Sequence, residues 1–221
     1  MTTQVDGLAR LNKKDLDQAA DVLARAFTDY ELLKYYYPDE AQRWKFARTF
    51  GLIAISVCLK YGEVYTVSKE FEGISAWLPP GKAPFNSWQM IRSVSPSVIM
   101  DFGRLGAKKM QAYNSFADDM HRQLAPYPHW YLQILGIDPA WQGKGMSRRL
   151  VRPLLERFDL ENLPCYLETN TEKNVAIYQR FGFEVLSEGV VPGTKLKLFS
   201  MLRKPEFVKM KQEDRDEAIR I

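Results

Sequence analysis

The stretch from residue 129 to residue 160 places a strand, a glycine loop and a helix in direct succession. The letters "HWYLQILGI" combine aromatic and β-branched residues in the way of a buried strand. The loop "QGKG" comes shortly after, and the apolar spacing from Ser147 to Leu160 then predicts a helix. This unit favours an α/β fold, since the chain passes from strand to helix within a few residues.

The remainder of the chain alternates between strands and helices in the same way. Strand patterns occur in six further segments: "VDGLARL", "EVYTVSK", "EGISAWLPP", "PCYLET" and the final pair "FEVLSEGVV" and "KLKLFSMLRK". Helical periodicity covers three: "NKKDLDQAADVLARAF", "DEAQRWKFARTFGLIAISVCLKYG" and "EKNVAIYQRFG". Residues 83–126 carry only helical patterning, which predicts a helical insertion. We expect one domain over residues 1–205 with a mixed sheet, followed by a charged tail over residues 206–221.

Composition excludes several classes of protein. The formal net charge of +4 comes from 31 basic and 27 acidic residues without a basic arm, so we expect no nucleic acid partner. Two cysteines and two histidines are too few for a disulfide framework or a zinc site, and we expect no metal. Neither a secretory signal nor an apolar run of membrane-spanning length is present in the sequence. We therefore expect a cytoplasmic protein, monomeric or homodimeric, without a membrane partner.

The glycine loop has the chemistry of a phosphate site. The first N–H groups of a helix lack partners within the helix, and the helix dipole attracts anions to that end. Gly143 and Gly145 allow a ligand to approach the main chain, and Lys144 and Arg148 add positive charge. The Rossmann and Walker patterns do not fit, because Arg148 stands at the third Rossmann glycine and Gly145 follows the lysine.

The segment from Gln142 to Ser147 resembles the acyl-CoA-binding motif of the GNAT N-acetyltransferase superfamily, Gln/Arg-x-x-Gly-x-Gly/Ala. Ser147 departs from the pattern at its last position. "NVAIYQRFGFE" resembles the second signature of that family, in the same order along the chain. Residues 129–205 are similar to puromycin N-acetyltransferase and related small-molecule acetyltransferases. The resemblance implies a mostly antiparallel central sheet whose parallel central strands splay beside the loop.

The resemblance also implies acetyl-CoA as the acyl donor and assigns residues to it. The residues expected to bind the coenzyme are Leu135, Gly136, Ile137, Gln142, Gly143, Lys144, Gly145, Met146, Ser147 and Asn174. The first three would hold the pantetheine arm through main-chain groups, as an added strand is held. Packing or a bulge would explain Gly136 equally well, and Asn174 could instead be a solvated amide or a helix cap.

Two residues are candidates for the chemistry. Tyr178 matches the tyrosine that in this family protonates the departing thiolate, and a phenol is protonated at neutral pH. The alternative is a tyrosine that packs near Phe181. Glu168, in "LET", is the candidate base, directly or through water. A helix cap or an ion pair would explain Glu168 as well, and ordered water could replace a dedicated base.

The family often carries a glutamate at the position that Tyr131 occupies here. Strand alternation would place His129 and Gln133 on the same side as Tyr131. The segment "FTDYELLKYYYPDE" combines aromatic and acidic residues, which suits an acceptor with a ring and an ammonium group, although packing around a helix break explains it too. We take Tyr30, Tyr131 and His129 as the candidate substrate-binding residues.

The function that follows is the transfer of an acetyl group from acetyl-CoA to a primary amine of a small molecule. Three alternatives remain from the sequence: a non-catalytic acyl-CoA-binding regulatory module, an acetyltransferase acting on a protein amine, and a protein that uses the basic loop for other phosphates.

Overall fold

A computed structural model describes residues 5–206, with the side chain of residue 107 excepted. The charged tail predicted for residues 206–221 lies, apart from Glu206, outside the described residues. Within the described part, seven strands form one sheet in the order β1-β2-β3-β4-β5-β7-β6. The strands are β1 (Ala9–Arg10), β2 (Glu63–Thr66), β3 (Gly73–Leu78), β4 (Trp130–Ile137), β5 (Cys165–Thr169), β6 (Glu184–Val190) and β7 (Lys197–Arg203).

The pairing of the strands is mixed, as the sequence predicts. Every neighbouring pair is antiparallel except β4 and β5, which run parallel. Only two residue pairs join β4 to β5, Trp130 with Cys165 and Tyr131 with Tyr166. The two strands then separate towards their carboxyl ends. The prediction of a mostly antiparallel sheet with splayed parallel central strands is thus confirmed.

Eight α-helices flank the sheet in residues 5–206. They are α1 (Leu16–Phe27), α2 (Glu31–Tyr36), α3 (Glu40–Tyr61), α4 (Ser87–Ile91), α5 (Pro96–Arg104), α6 (Gln111–Leu124), α7 (Met146–Leu160) and α8 (Glu172–Gln179). Helices α4 to α6 occupy the segment where the sequence predicts helical patterning between two strands. The short helix α2 lies in the tyrosine-rich segment where no helix is predicted. No helix in this part of the chain is both long and apolar enough to cross a membrane.

The sheet buries both faces. Leu23 of α1 and Ile53 of α3 pack against Ile74 and other apolar residues on one face. On the other face, Phe158 of α7 stacks on Trp130 with ring centroids 4.4 Å apart. The central strands are therefore covered by helices on both sides, which explains why their sequences are almost continuously apolar.

An irregularity in β4 determines which of its side chains pack with α7 and which pack with α1 and α3. Ala76 pairs with Ile134 and Trp77 with Leu132, so β4 carries one residue more than β3 at this point, namely Gln133. This is a β-bulge, which shifts the alternation of the strand by one residue. As a result Leu132 packs with the α7 cluster, whereas Ile134, two residues later, packs with the α1 and α3 cluster.

The carboxyl end of β7 is fixed by a buried ion pair. Arg203 donates to both carboxylate oxygens of Asp159, at 2.6 and 2.8 Å, and its Nε donates to the carbonyl of Phe181 at 3.0 Å. Both charged side chains are almost fully buried. This contact joins β7, the end of α7 and the turn after α8.

We expect Asp159→Ala to lower the free energy of unfolding by about 3 kcal/mol, because it leaves the buried guanidinium of Arg203 with only the exposed carboxylate of Glu206 as a charged partner. Urea denaturation followed by circular dichroism measures the change. The control is Asp119→Ala, which breaks an exposed pair with Arg122 and should leave the midpoint nearly unchanged. Equal midpoints for the two variants would contradict this account of Arg203.

Candidate active site

The glycine loop lies between β4 and α7, and local hydrogen bonds fix its shape. The side chain of Asp138 accepts from the N–H of Ala140 at 3.0 Å and forms an ion pair with Arg25 of α1 at 2.6 Å. Gly143 and Gly145 have φ of 76° and 75°, a conformation that favours glycine. A Cβ built at either position would meet nothing within 4 Å. The space over both glycines is therefore open to a ligand.

The first turn of α7 faces the same open space. Gly145 is its N-cap residue, and within residues 5–206 no side chain caps this end of the helix. The side chain of Gln142 instead braces the loop, because its Nε2 donates to the carbonyl of Ile137 at 3.1 Å. Met146 is buried in the core, so only its main chain can meet a ligand. The Nζ of Lys144 lies 4.9 Å from the centroid of the Trp141 ring.

A groove of about 870 Å³ continues from this turn along α7 towards the end of α8. Gly145 and Ser147 stand at its start. Arg148, Arg152 and Arg180 line it further along. An uncapped helix N-terminus beside three guanidinium groups suits an anion with several phosphate groups.

The splayed strands leave one edge of β4 without a strand neighbour. Beyond Tyr131 no pairing with β5 is formed, so Leu135, Gly136 and Ile137 present that edge to the gap. An extended chain could hydrogen-bond there as an added strand would. Gly136 also has a packing role: a Cβ built on it would lie 2.6 Å from Cδ2 of Leu23. The packing explanation is thus sufficient for this glycine, and its contact with a coenzyme remains a prediction.

A cavity of about 400 Å³ opens at the same gap. Six of the predicted site residues line it, and they come from four different parts of the chain: Tyr30, Tyr131, Leu135, Glu168, Asn174 and Tyr178. The structure therefore brings together residues that are separated by up to 148 positions, from 30 to 178. Their roles remain predictions, but their common location is the one that the resemblance implies.

Glu168 is buried at the cavity wall. Tyr131 donates a hydrogen bond to its Oε2 at 2.7 Å, and Oε1 faces Nδ1 of His121 at 3.9 Å. Burial raises the pKa of Glu168 to about 7, and the hydrogen bond from Tyr131 offsets part of that rise. Glu168 is therefore neither a helix cap nor half of an ion pair with a lysine or arginine in the described residues. A carboxyl group that titrates near neutral pH is suited to accept a proton.

Tyr178 reaches the cavity from α8. Its ring makes an edge-to-face contact with Phe183, with centroids 5.8 Å apart. Burial raises the pKa of its phenol, which therefore stays protonated at neutral pH. Its packing contacts hold the ring in place, while its cavity-facing side leaves the phenol able to donate a proton.

Tyr30 and Asn174 belong to one hydrogen-bonded network at the end of β5. The hydroxyl of Tyr30 accepts from the main-chain N–H of Asn170 at 3.1 Å and lies 3.4 Å from Oγ1 of Thr169. Asn174 donates from Nδ2 to the same Oγ1 at 3.1 Å, so its side chain is not a helix cap. Tyr113 of α6 donates to Oδ1 of Asn170 at 2.9 Å. Tyr30 therefore offers its ring rather than its hydroxyl to a ligand.

His129 is the one predicted substrate-binding residue that the structure does not bring to the cavity wall. Its Nε2 lies 2.7 Å from Nε2 of His121, and its Nδ1 lies 2.6 Å from the carbonyl oxygen of Tyr127. The residue is buried in an aromatic cluster with Tyr166. His129 precedes β4 and lies outside the cavity lining, so its contact with the substrate stays a prediction that this packing does not support.

Two residues of α6 escaped sequence analysis. His121 stacks on Tyr131 and faces Glu168, and burial lowers its pKa to about 3, which keeps it neutral. Asp118 lines the cavity. The two are three positions apart and so share a helical face, which was a usable signal. Helical periodicity predicts only that residues 83–126 form helices and assigns no role to their polar side chains.

Comparisons with known proteins agree with this geometry. A family model described as "Acetyltransferase (GNAT) domain" matches residues 107–185. An uncharacterized N-acetyltransferase of Schizosaccharomyces pombe is 30% identical over 209 residues, which cover 89% of this chain and 83% of that protein. The N-alpha-acetyltransferase RimI of Mycobacterium tuberculosis is 40% identical over 55 residues, 24% of this chain and 34% of that one.

The fold has solved counterparts as well. A crystal structure from Corynebacterium glutamicum, described as "histone acetyltransferase HPA2 and related acetyltransferase", superposes with a TM-score of 0.63. The match covers 92% of this chain and 98% of that one, at 20% sequence identity. This similarity shows a shared fold, and the substrate of this chain has to be argued from its own residues.

Proposed function

The chain belongs to the GNAT acetyltransferase superfamily, and on that premise we propose that it transfers an acetyl group from acetyl-CoA to a primary amine of a small molecule. The observation that carries the proposal is the shared wall of one cavity: Glu168 and Tyr178 both line it, at the gap between β4 and β5. A group suited to accept a proton and a group suited to donate one thus line the same cavity, which Leu135 of the strand that precedes the loop also lines.

The residues of the loop fit coenzyme A as a substrate. Open space over Gly143 and Gly145 and the uncapped turn of α7 suit its diphosphate. The unpaired edge of β4 suits the two amide groups of its pantetheine arm. Acetyl-CoA supplies a thioester, whose carbonyl carbon is open to attack by a neutral amine.

The side chains of the cavity divide the proton transfers between them. Glu168 accepts the proton that the amine loses, which leaves the nitrogen lone pair free to form the new C–N bond. As the C–S bond breaks, Tyr178 donates its phenolic proton to the thiolate and is reprotonated from solvent. Once the C–N bond has formed, the nitrogen loses a second proton to solvent, which balances the proton that Tyr178 takes back, and no oxidant or reductant is needed.

The test is a screen of primary amines for release of free thiol from acetyl-CoA, with the acetylated product identified by mass. Small amines should be acetylated with saturation kinetics. Binding of acetyl-CoA without release of thiol in the presence of any amine would favour the non-catalytic regulatory module. Acetylation of a folded protein or peptide terminus in preference to every small amine would favour a protein substrate.

We expect Tyr178→Phe to lower kcat about 100-fold while the Kd for CoA stays within about twofold, because the phenol acts only when the thiolate departs. Stopped-flow thiol release and calorimetry measure the two quantities. The control is Tyr65→Phe, a buried tyrosine bound to Glu63 and outside the cavity lining, which should leave kcat unchanged. Equal losses of turnover and CoA affinity would exclude the role of an acid.

A further inference from the structure

The composition of the cavity wall indicates what kind of amine it admits. Asn86, Ser87 and Asn114 contribute polar side chains to the lining. Another part of the lining is apolar and mostly aromatic: Phe27, Phe46, Phe50, Phe85, Phe102 and Met110. Such a surface favours an apolar body over a polar one, since each buried ring contributes through the area that it removes from water.

The wall is rigid where the rings meet. Phe46 stacks on Tyr37 at 4.2 Å and on Phe102 at 5.7 Å between ring centroids. Phe46 and Tyr37 are fully buried by their neighbours. A preformed aromatic surface loses little side-chain entropy when it receives a ring. The cavity is therefore better suited to a planar apolar group than to a flexible polar chain.

The charges in the cavity are all of one sign. Asp118 and Glu168 are the only ionisable acids among its lining residues, and within the described chain no lysine, arginine or histidine lines it. Asp118 has no basic group within ion-pair distance in residues 5–206, since its neighbour Arg122 bonds to Asp119 at 2.7 Å. Two acidic groups in an apolar surrounding attract a cation and repel an anion.

Asp118 and Glu168 are close enough for the charge of Asp118 to affect the pKa of Glu168. The charge of Asp118 contributes to raising the pKa of Glu168, after the larger effect of burial. Burial also raises the pKa of Asp118 itself, while Arg122 lowers it and Asp119 raises it. The other titratable groups near Glu168 are Tyr131, His121, Tyr166 and Tyr113.

We propose that this cavity selects amines with an apolar aromatic body and no negative charge, with the ammonium group entering between Asp118 and Glu168 and the ring lying against Phe50 and Phe102, which Phe46 supports from behind. The inference rests on the proposed acetyl transfer and names its acceptor class. Asp118 is then a specificity-determining residue: it attracts the cation, and Glu168 removes the proton. An amino acid is excluded because its carboxylate, one bond from the amine-bearing carbon, would face both acids.

The experiment compares three acceptors at saturating acetyl-CoA: 2-phenylethylamine, L-phenylalanine and putrescine. The first two differ only in the carboxylate. We expect kcat/KM for 2-phenylethylamine to exceed that for L-phenylalanine about 100-fold, because of repulsion by the acids. It should exceed that for putrescine about tenfold, because the diamine lacks a ring to bury.

Asp118→Asn should lower kcat/KM for 2-phenylethylamine about tenfold. It should also reduce the ratio of kcat/KM for 2-phenylethylamine to kcat/KM for L-phenylalanine. The matched control is Asp119→Asn, the adjacent carboxylate, which is exposed and paired with Arg122 and should change neither value. The conservative change keeps the fold, and a thermal melt verifies this.

The outcomes separate the two proposals. Preference for L-phenylalanine or putrescine, or equal behaviour of the Asp118 and Asp119 variants, overturns the acceptor class while acetyl transfer itself stands. Absence of thiol release with these three amines overturns the acceptor class, and absence of thiol release with every amine of the wider screen, although acetyl-CoA binds, overturns the transfer as well.

Discussion

At pH 7.5, Glu168→Gln is expected to lower kcat/KM for the acceptor amine about 1,000-fold, within the range that a general base contributes. Glutamine has nearly the same shape and can still accept the hydrogen bond that Tyr131 donates at 2.7 Å to Oε2 of the carboxylate. It cannot take up a proton. The loss therefore reports proton acceptance rather than a changed cavity, provided that CoA binding, measured by calorimetry, is unchanged.

The pH profile adds a second readout. Burial raises the pKa of Glu168 to about 7, and the base form exists only above that value. In the parent enzyme kcat/KM should rise with pH through about 7, whereas the residual activity of Glu168→Gln should lack this limb. Tyr131→Phe removes a hydrogen bond that stabilises the carboxylate, so it should move the limb to higher pH. A parent profile without a limb near 7 would point to ordered water as the base.

Stability should respond in the opposite direction from activity. The pKa of Glu168 in the folded state, about 7, lies above its ordinary value of 4.5, so folding favours the protonated form. The stability that this protonation provides is fully present below about 4.5 and is lost as pH rises through about 7. As pH rises between these values, the Tm of Glu168→Gln should therefore increase relative to the Tm of the parent. A variant that is less stable than the parent at pH 8 would contradict burial of the charge as the cause of the shift.

The sequence predicts those parts of the site whose residues lie close together along the chain in a recognisable pattern. Gly143 and Gly145 lie between a strand pattern and a helix pattern, and two positive φ values with open space beside them are what a ligand-binding turn needs. The sheet class follows from alternation of strands and helices. The resemblance of "NVAIYQRFGFE" to the second family signature assigns Tyr178, which lines the cavity.

The parts that sequence missed depend on tertiary packing. Gln133 forms a bulge only because β3 pairs around it, and nothing in "WYLQILGI" marks the extra residue. Simple alternation therefore gave the wrong environment for part of β4. His121 and Asp118 reach Glu168 because α6 folds back over β5, about 50 positions along the chain, and single-sequence periodicity carries no information on such contacts.

Gly145→Val is expected to weaken CoA binding about 1,000-fold, as calorimetry with CoA alone would measure. Two effects act together. A branched side chain at φ 75° is strained, and its methyl groups would occupy the open space beside the first turn of α7. Losing two hydrogen bonds to a charged phosphate, at about 2 kcal/mol each, corresponds to that factor.

The matched control is Gly193→Val, in the turn between β6 and β7. Gly193 also has a φ of 75° and open space around its Cβ position, so the backbone strain is the same in both variants. Both should lose a similar amount of thermal stability, and only the Gly145 variant should lose CoA. If Gly193→Val weakened CoA binding as much, the loss would stem from strain transmitted through the fold. If Gly145→Val retained micromolar binding, the diphosphate would have to lie elsewhere, because a valine at that position leaves no room for it against the main chain.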